Sequence, residues 1–420
     1  MTDILKLANA SPADPYFRLE TVKKDGDTML MYPGLFATAN EAHRLSSQPP
    51  TGALAQYGDT ATWELDKNGF QIGKIWLHVQ RSALTLGAGA AAAAFVDAEG
   101  FAMIDKVEIS QGANDLERRL TDQYYLERSQ CREKQEDKDF EAPLILADLS
   151  FLERATGTVG GNAVNGTAST VQDLYVNLSP WWDKWTKMYP MTSILGAKLT
   201  IKVTLKNLTD ITTWDAGSVP TCTIRAMDLV YMTYYVPKDE QALNTSKVMV
   251  VGGLQYRTMQ WTQQSRVYPS GTTTMQLQLQ NFKLPCVEFF FHVRLTGDMN
   301  SQATGSYADK SYTNFLEWTD FKLDSGDLEI VKTQTARFNI HAYKPTVHAI
   351  PETNYIGNWS FSWTPDNAGA STGHKTWSEM TNPTITINLP DPGAEAILTV
   401  FSRENNIVIH KAGSMKRLLS

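Results

Sequence analysis

The chain has 420 residues, of which 38 are basic and 45 acidic, so its formal net charge is −7. A pI near 5.6 argues against a protein that coats nucleic acid, because such proteins need clustered positive charge to displace counterions. Charged residues make up 20% of the chain, below the globular average of about 25%. The three cysteines are widely spaced, which argues against a disulfide framework and a structural zinc site.

The N-terminal residues lack a basic region followed by an apolar one, and no apolar stretch approaches the roughly 18 residues of a membrane span. We therefore expect a soluble protein that folds in a reducing compartment, without a classical secretion signal.

Most of the chain reads as short β-strands. Runs of β-branched and aromatic residues with period two are broken by Gly, Pro, Asn and Asp. In chain order, strands are predicted at 60–66, 74–80, 105–110, 173–178, 198–205, 223–236, 274–280, 286–295, 359–363, 383–389 and 405–410. The segment 198–205 alternates cleanly, whereas 286–295 is apolar on both faces, as in a strand deep inside a sandwich.

Two other segments are assigned differently. Residues 114–138 are rich in Glu, Arg, Leu and Gln, which predicts a helix whose dense charge lies on a solvated face. Residues 157–170 are rich in Gly, Asn and Thr, which predicts a long, mobile surface loop.

An internal repeat indicates two domains of one type. Many short strands with few helices favour sandwiches or barrels, and 420 residues are too many for one sandwich. Segments 103–117 and 317–329 both place an amphipathic strand before a glycine turn and Asp-Leu-Glu. Their glycines, Gly112 and Gly326, are 214 residues apart, close to half the chain. The predicted junction is the polar segment 236–247.

Motifs for catalysis are absent from the sequence. There is no nucleophile elbow, phosphate-binding loop, HExxH or dinucleotide fingerprint. The closest histidine pair, His341 and His348, has no third ligand at a recognisable spacing. We therefore predict neither enzymatic activity nor a cofactor or metal site.

The most distinctive motif is SPWWDKW at 179–185, which packs three tryptophans behind Pro180. It is interpreted as an anchor between sandwiches or subunits, with a carbohydrate-stacking platform as the alternative.

The order of several segments resembles the major capsid protein of large eukaryotic (nucleocytoplasmic) DNA viruses, which has a double jelly-roll. The resemblance is carried by 101–119, 178–185, 222–241, 277–294, 355–373 and 405–413. The Arg-rich tract that normally follows the family's linker is absent, and the first hundred residues match nothing in the family. Together with the repeat, these motifs suggest structural and packing roles for Gly112, Asp115, Pro180, Trp181, Trp182, Trp185, Pro285, Gly326, Pro365, Asn406 and Gly413.

The resemblance implies an all-β fold of two tandem eight-stranded antiparallel jelly rolls, with a short helix in the first. We divide the chain into an N-terminal arm at 1–16, a first jelly roll at 17–238 and a second at 239–420.

The implied function is that of a late structural protein, whose homotrimers form pseudo-hexagonal capsomers that tile an icosahedral virion shell. Implied partners are the chain itself, neighbouring capsomers, and minor capsid and penton proteins. Contact with an internal membrane stays open, and direct nucleic-acid binding is not expected. Assembly is expected in the host cytoplasm. The alternative is a viral spike or lectin-like tandem β-sandwich that binds glycans.

Overall fold

The structure is a computed structural model, and its strands form two sandwiches that follow one another along the chain. The residues that it describes are 43–65, 70–131, 135–159, 161–182, 189, 191, 198–235, 254–299, 312–365, 372–411 and 414–418.

The first sandwich and its extensions contain twelve of the described strands. They are β1 His43–Gln48, β2 Thr60–Leu65, β3 Phe70–Arg81, β4 Ala92–Phe95, β5 Ile104–Gln111, β6 Asn114–Leu120, β7 Ala155–Val159, β8 Asn162–Asn165, β9 Gln172–Asn177, β10 Leu199–Leu205, β11 Thr212–Trp214 and β12 Ile224–Tyr235. The second sandwich contains β13 Leu254–Tyr268, β14 Thr274–Gln278, β15 Pro285–Leu295, β16 Asp320–Ser325, β17 Leu328–Thr335, β18 Gly357–Ser360, β19 Lys375–Thr376, β20 Pro383–Asn388, β21 Ala396–Lys411 and β22 Ser414–Arg417.

The described helices are short and lie in the connections between strands. They are α1 Glu99–Ala102, α2 Thr121–Cys131, α3 Gln135–Ile145, α4 Phe151–Arg154, α5 Leu208–Ile211, α6 Thr296–Met299, α7 Ala336–Phe338 and α8 Lys344–Val347. A π-helical turn, Asn339–Tyr343, joins α7 to α8, and 3₁₀ turns occupy Thr167–Ser169 and Trp377–Glu379. No described helix is long and apolar enough to cross a membrane.

Each sandwich is a jelly roll of eight antiparallel strands. In the first, sheet I has the order β1-β12-β3-β9 and sheet II has the order β2-β10-β5-β6. In the second, sheet III has the order β13-β21-β15-β18 and sheet IV has the order β14-β20-β16-β17. When the eight strands of each sandwich are numbered 1 to 8 in chain order, its two sheets have the strand orders 1-8-3-6 and 2-7-4-5. This is the arrangement of a jelly roll. The predicted fold class is confirmed.

The internal repeat falls on equivalent strands of the two jelly rolls. Gly112 lies between β5 and β6, and Gly326 lies between β16 and β17, which are the fourth and fifth strands of their sandwiches. Both glycines have a positive φ, +59° and +57°, which favours a residue without a Cβ. The repeat thus marks the same tight turn in each jelly roll.

The strands follow the predicted hydrophobic patterns. In β10, Leu199, Ile201, Val203 and Leu205 are buried while the residues between them are more exposed. β15 is buried along almost its whole length, as the apolar pattern of 286–295 predicted. One face of β15 fills the second sandwich, and its other face lies against the first.

A small additional sheet, β11-β4-β7-β8, extends the first jelly roll. Its strands come from the connections between β3 and β5, β6 and β9, and β10 and β12, all of which leave the same end of the sandwich. The prediction of a mobile loop at 157–170 is wrong, because β7 and β8 pair there as a hairpin. Gly157 permits this pairing: its φ is +97°, and a Cβ there would lie 2.1 Å from a backbone oxygen of Ala91.

The predicted helix at 114–138 is partly wrong. Residues 114–120 are the strand β6, which pairs with β5, and the helix begins only at Thr121. The predicted solvated face is also wrong, because every residue of α2 is buried. The reason is that α2 lies between the two jelly rolls, where its charges meet partners from distant parts of the chain.

Several strands were not predicted, including the 15-residue β13 and the edge strand β1. The predicted arm at 1–16 and the predicted junction at 236–247 lie outside the described residues.

Candidate assembly site at the seam between the jelly rolls

The contact between the two jelly rolls, called the seam below, contains many buried polar and charged side chains. Its apolar part is continuous with the core of the first jelly roll. Tyr256, Trp261, Phe290, Phe401 and Met415 of the second jelly roll belong to the same buried cluster as that core. Burial of this kind is non-directional, so the orientation of the two sandwiches rests on the polar contacts around it.

At one end of α2, Asp122 is the acceptor at the centre of a buried ion network. Arg294 Nη2 of β15 donates to Asp122 Oδ1 at 2.8 Å, and Tyr312 Oη donates to the same oxygen at 2.7 Å. His292 Nε2 lies 3.8 Å from the other carboxylate oxygen. Burial raises the pKa of Asp122, but Arg294, His292 and Lys206 lower it by more, so the net pKa lies well below the usual range. The carboxylate is therefore charged under all ordinary conditions.

Asp97 makes a second connection from the first jelly roll to the same segment of the second. Its carboxylate accepts the backbone N–H groups of Tyr312 at 2.5 Å and Thr313 at 3.1 Å, and it also accepts the Thr313 hydroxyl. Such charge-assisted bonds fix the backbone of residues 312–313 against the first jelly roll.

Buried charges also support the loop that carries the tryptophan motif. Arg119 donates to Glu117 at 2.5 Å and to Glu127 at 2.7 Å. Glu117 accepts the backbone N–H of Trp181 at 2.8 Å, and Glu127 accepts the Ser179 hydroxyl at 3.2 Å. Burial raises the pKa of Glu117, and Arg119 opposes that shift. The two carboxylates and one guanidinium thus hold the start of the loop in place.

The tryptophans of this loop point into the protein. Trp181 makes an edge contact with Tyr256 of β13, with ring centroids 5.5 Å apart. Trp182 is fully buried, packs on Tyr189 with centroids 4.9 Å apart, and donates from Nε1 to the Gly73 carbonyl at 2.9 Å. Trp181 therefore bridges the two jelly rolls, while Trp182 packs within the first.

Pro180 is buried beside them, and Trp185 lies outside the described residues. A sugar-stacking surface requires an exposed aromatic face, but Trp181 is only 3% exposed. The geometry of these two tryptophans does not favour the glycan-binding alternative.

At the other end of α2, the seam contains a cluster of four buried ionisable side chains, those of Cys131, Glu288, His348 and Arg403. Cys131, Glu288 and His348 place one donor atom each within 4.8 Å of one another. Arg403 donates to Glu288, lies 3.5 Å from the Cys131 sulfur, and donates to the Pro365 carbonyl at 2.8 Å. Because the Arg403 guanidinium already lies between the Glu288 carboxylate and the Cys131 sulfur, the cluster fits a buried ion pair better than a metal site. His341, the other histidine of the closest sequence pair, is exposed and apart from this cluster.

Two buried lysines hold a loop of the second jelly roll. Lys138 of α3 donates to the Ile350 carbonyl at 2.7 Å. Lys344 donates to the carbonyls of Glu352 at 3.5 Å and Asn354 at 3.3 Å. Burial lowers the pKa of Lys344 to about 7. One lysine comes from each jelly roll, so the loop 350–354 is held from both sides.

The last described strand, β22, closes the seam next to the turn of the repeat. The backbone N–H of Met415 donates to Gln111 at 2.6 Å, and Arg417 donates to the Asp115 carboxylate at 2.9 Å. Asp115, predicted from the Asp-Leu-Glu step, thus contacts the C-terminal part of the second jelly roll.

The remaining predicted residues lie apart from one another. Pro285 begins β15, Gly326 lies in the turn between β16 and β17, and Asn406 of β21 donates to a glutamine of β13 at 2.7 Å. Gly413 lies outside the described residues. The structure therefore brings together Gly112, Asp115, Pro180, Trp181, Trp182 and Pro365 around the seam or its borders. Asn406 reaches the same border through Gln260, to which Arg417 also donates at 3.2 Å, whereas Pro285 and Gly326 lie elsewhere.

The sequence analysis missed the charged residues of the seam. A signal was present in β15, where Glu288, His292 and Arg294 fall at even positions of an otherwise apolar strand. Charges with period two in a fully buried strand indicate a second buried face that meets another layer of the protein.

Two jelly rolls in tandem, joined by a polar seam, define a double jelly-roll protein. No protein-family model matches the sequence, and no curated protein matches it. Solved structures do match along nearly the whole chain. A chain of the PBCV-1 virus capsid has 12% identity and a TM-score of 0.67, covering 90% of this chain and 97% of that one.

Two further structures agree. The Faustovirus major capsid protein has 10% identity and a TM-score of 0.67, covering 88% of this chain and 90% of its own. The mavirus major capsid protein has 11% identity and a TM-score of 0.50, with 89% coverage of each chain. At this level of identity, the likeness establishes the fold, which is the double jelly-roll.

Proposed function

We propose that this chain is the major capsid protein of a virus, a structural protein without catalytic activity. Three copies associate into a pseudo-hexagonal homotrimer, and these capsomers tile an icosahedral shell. The observation that carries the proposal is the repetition of one strand order in two jelly rolls on a single chain. Three such chains present six similar sandwiches, a unit whose near-equivalent edges pack in a plane.

The comparisons support the proposal. The matched chains are described as major capsid proteins or as part of a virus capsid, and they are covered along 89% to 97% of their own length. The seam supports the proposal as well. Its buried contacts hold the two sandwiches in one arrangement, and a rigid chain of this kind is a suitable building block for a shell.

The domain organisation is part of the proposal. The arm at 1–16 is assigned to the inner side of the shell, and the jelly rolls are assigned to 17–238 and 239–420. The small sheet extends the first jelly roll, and the segment 297–314 connects β15 to β16 in the second. We assign both to the tops of the capsomer or the contacts between subunits.

The wider assignments follow from the same function. The chain is a virion component that assembles in the host cytoplasm as a late product. Its partners are other copies, neighbouring capsomers, and minor capsid and penton proteins, with an internal membrane as a further candidate. The net charge of −7 supports a shell that does not bind the genome directly.

The test is the mass and shape of the purified full-length protein. Light scattering after size exclusion should give three times 46.8 kDa, and negative-stain electron microscopy should show hexagonal particles. A monomer at micromolar concentration, or a particle without hexagonal outline, would contradict the proposal. Glycan-array binding by such a monomer would support the spike or lectin alternative.

A further inference from the structure

The two jelly rolls share a second repeat, in their third strands. Trp76-Leu77-His78-Val79 of β3 corresponds to Phe290-Phe291-His292-Val293 of β15, and the two histidines are 214 residues apart, as are Gly112 and Gly326. Leu77 and Val79 point into the first core, and Phe291 and Val293 point into the second. Trp76 and His78 are therefore the outward counterparts of Phe290 and His292.

These equivalent faces differ in what covers them. On sheet III, Phe290 and His292 are buried, because α2 of the first jelly roll lies along the outward side of β15. On sheet I, Trp76 is only half-buried, and Leu45 of the neighbouring strand β1 is 64% exposed. The outward face of sheet I thus has the pattern of a covered sheet, and none of the elements that the structure describes covers it.

The helix α2, which covers sheet III, also has a counterpart in the second jelly roll. The helix α2 follows β6, the fifth strand of the first jelly roll, and the segment Ala336–Val347 follows β17, the fifth strand of the second. This segment exposes Arg337, Phe338 and His341 on its surface. On sheet I, the carboxylates of Asp173 and Asp228 flank His78 at 3.0 and 3.7 Å, and the guanidinium of Arg337 on the segment has the charge that complements them.

The tryptophan loop repeats the same relationship. Trp181 lies four residues after β9, the sixth strand, and packs on Tyr256 of the first strand of the second jelly roll. Trp363 lies three residues after β18, which is also a sixth strand, and it is 85% exposed. In the first jelly roll, the strand that corresponds to β13 is β1, which exposes Leu45.

We propose that the outward face of sheet I is the docking surface for the second jelly roll of another copy of this chain. Trp363 of that copy packs on Leu45, and its segment 336–347 covers Trp76 and His78. The contact repeats between copies what the seam does within one copy. The contact joins two different surfaces head to tail, which allows three copies to close into a ring, and it rests on the proposed trimer.

The first experiment compares Trp363→Glu and Leu45→Glu with Phe140→Glu by light scattering of the full-length protein. Phe140 is 76% exposed on α3 and lies outside the proposed contact, so it is a matched control. We expect the first two variants to have one third of the wild-type mass and the control to stay trimeric. All three should keep the wild-type far-UV circular dichroism, since each side chain is exposed within one copy.

A second experiment uses the double variant Leu45→Cys/Trp363→Cys under oxidising conditions. Disulfides between copies should give covalent trimers and no larger species on a non-reducing gel, whereas each single variant should give none. The docking surface would be overturned if Trp363→Glu and Leu45→Glu stayed trimeric, or if the disulfide formed only within monomers. Either result would leave the proposed function intact. A monomeric wild type would instead overturn the proposed trimer and this contact with it.

Discussion

Arg294 of the second jelly roll donates to Asp122 of the first at 2.8 Å, and both side chains are buried. A buried ion pair need not stabilise a protein more than an apolar pair, but removing one partner leaves an uncompensated buried charge. This pair therefore acts on the arrangement of the two sandwiches, because each sandwich supplies one charge.

The first prediction concerns the loss of this pair. Asp122→Asn should lower the free energy of unfolding by about 3–5 kcal/mol, because the Arg294 guanidinium stays buried without a carboxylate. Urea unfolding followed by tryptophan fluorescence measures the change. The exposed pair between Lys198 and Glu64, 3.3 Å apart, is the control, and Glu64→Gln should cost less than about 1 kcal/mol. Equal effects of the two substitutions would contradict the role given to the seam.

The second prediction is an acid dependence of the same carboxylate. Because the folded pKa of Asp122 is depressed, its contribution is fully present above the unfolded pKa of about 3.9 and is lost as pH falls toward the folded pKa. The stability difference between wild type and Asp122→Asn should be constant from pH 7 to about pH 5 and shrink below about pH 4. Unfolding titrations across this range provide the measurement, and a constant difference at pH 3 would count against the prediction.

The third prediction separates a buried tryptophan from an exposed one. Trp182→Ala should lower stability by about 3–5 kcal/mol, because it removes a fully buried ring and its bond to the Gly73 carbonyl. Trp182→Phe should restore part of the packing. Trp363→Ala should leave the unfolding of a single copy nearly unchanged. A normal yield and melting temperature of Trp182→Ala would argue that the motif has no packing role.

Much of the fold could be predicted from the sequence, because local patterns encode it. The alternation of β10 and the glycine turns at Gly112 and Gly326 follow from period and backbone geometry alone. The seam could not be predicted in this way. The sequence pattern predicts that the charged side chains of α2 face solvent, because their partners, such as Arg294, lie more than 150 residues further along the chain.

The strand β13 was missed for a related reason. It is rich in Gln, Thr and Arg, and part of it faces polar surroundings instead of an apolar core. The repeat that contains Trp76 and Phe290 gives only a weak sequence signal, since the matching residues are similar in kind but mostly not identical. Patterns of period two report burial, but they do not report which element provides the cover.

The fourth prediction contrasts two glycines with positive φ. At Gly326 a Cβ would meet nothing closer than 3.7 Å, so Gly326→Ala should cost only the backbone strain of about 1–2 kcal/mol. At Gly157 a Cβ would also meet the Ala91 oxygen at 2.1 Å, so Gly157→Ala must displace backbone. Its larger cost should appear as faster amide hydrogen exchange in β4 and β7, with β16 and β17 unchanged. Equal exchange in both variants would contradict the contrast.

The last prediction concerns the buried amine of Lys344, whose folded pKa of about 7 lies far below the unfolded value of about 10.4. Between these two values the unfolded chain binds more protons than the folded chain, so this group makes stability rise with pH, by up to about 1.4 kcal/mol per pH unit. Below pH 7 both states bind the proton, and the contribution stops changing.

Lys344→Met has no proton to bind, so it should lack this rise. The free energy of unfolding of wild type minus that of Lys344→Met should therefore increase from pH 7 to pH 10 and be flat between pH 5 and pH 6.5. Lys322→Met is the control, because Lys322 is an exposed lysine with a carboxylate partner 2.8 Å away. Its difference from wild type should not rise over this range. Parallel curves for wild type and Lys344→Met would show that the amine of Lys344 is not desolvated beneath the loop 350–354.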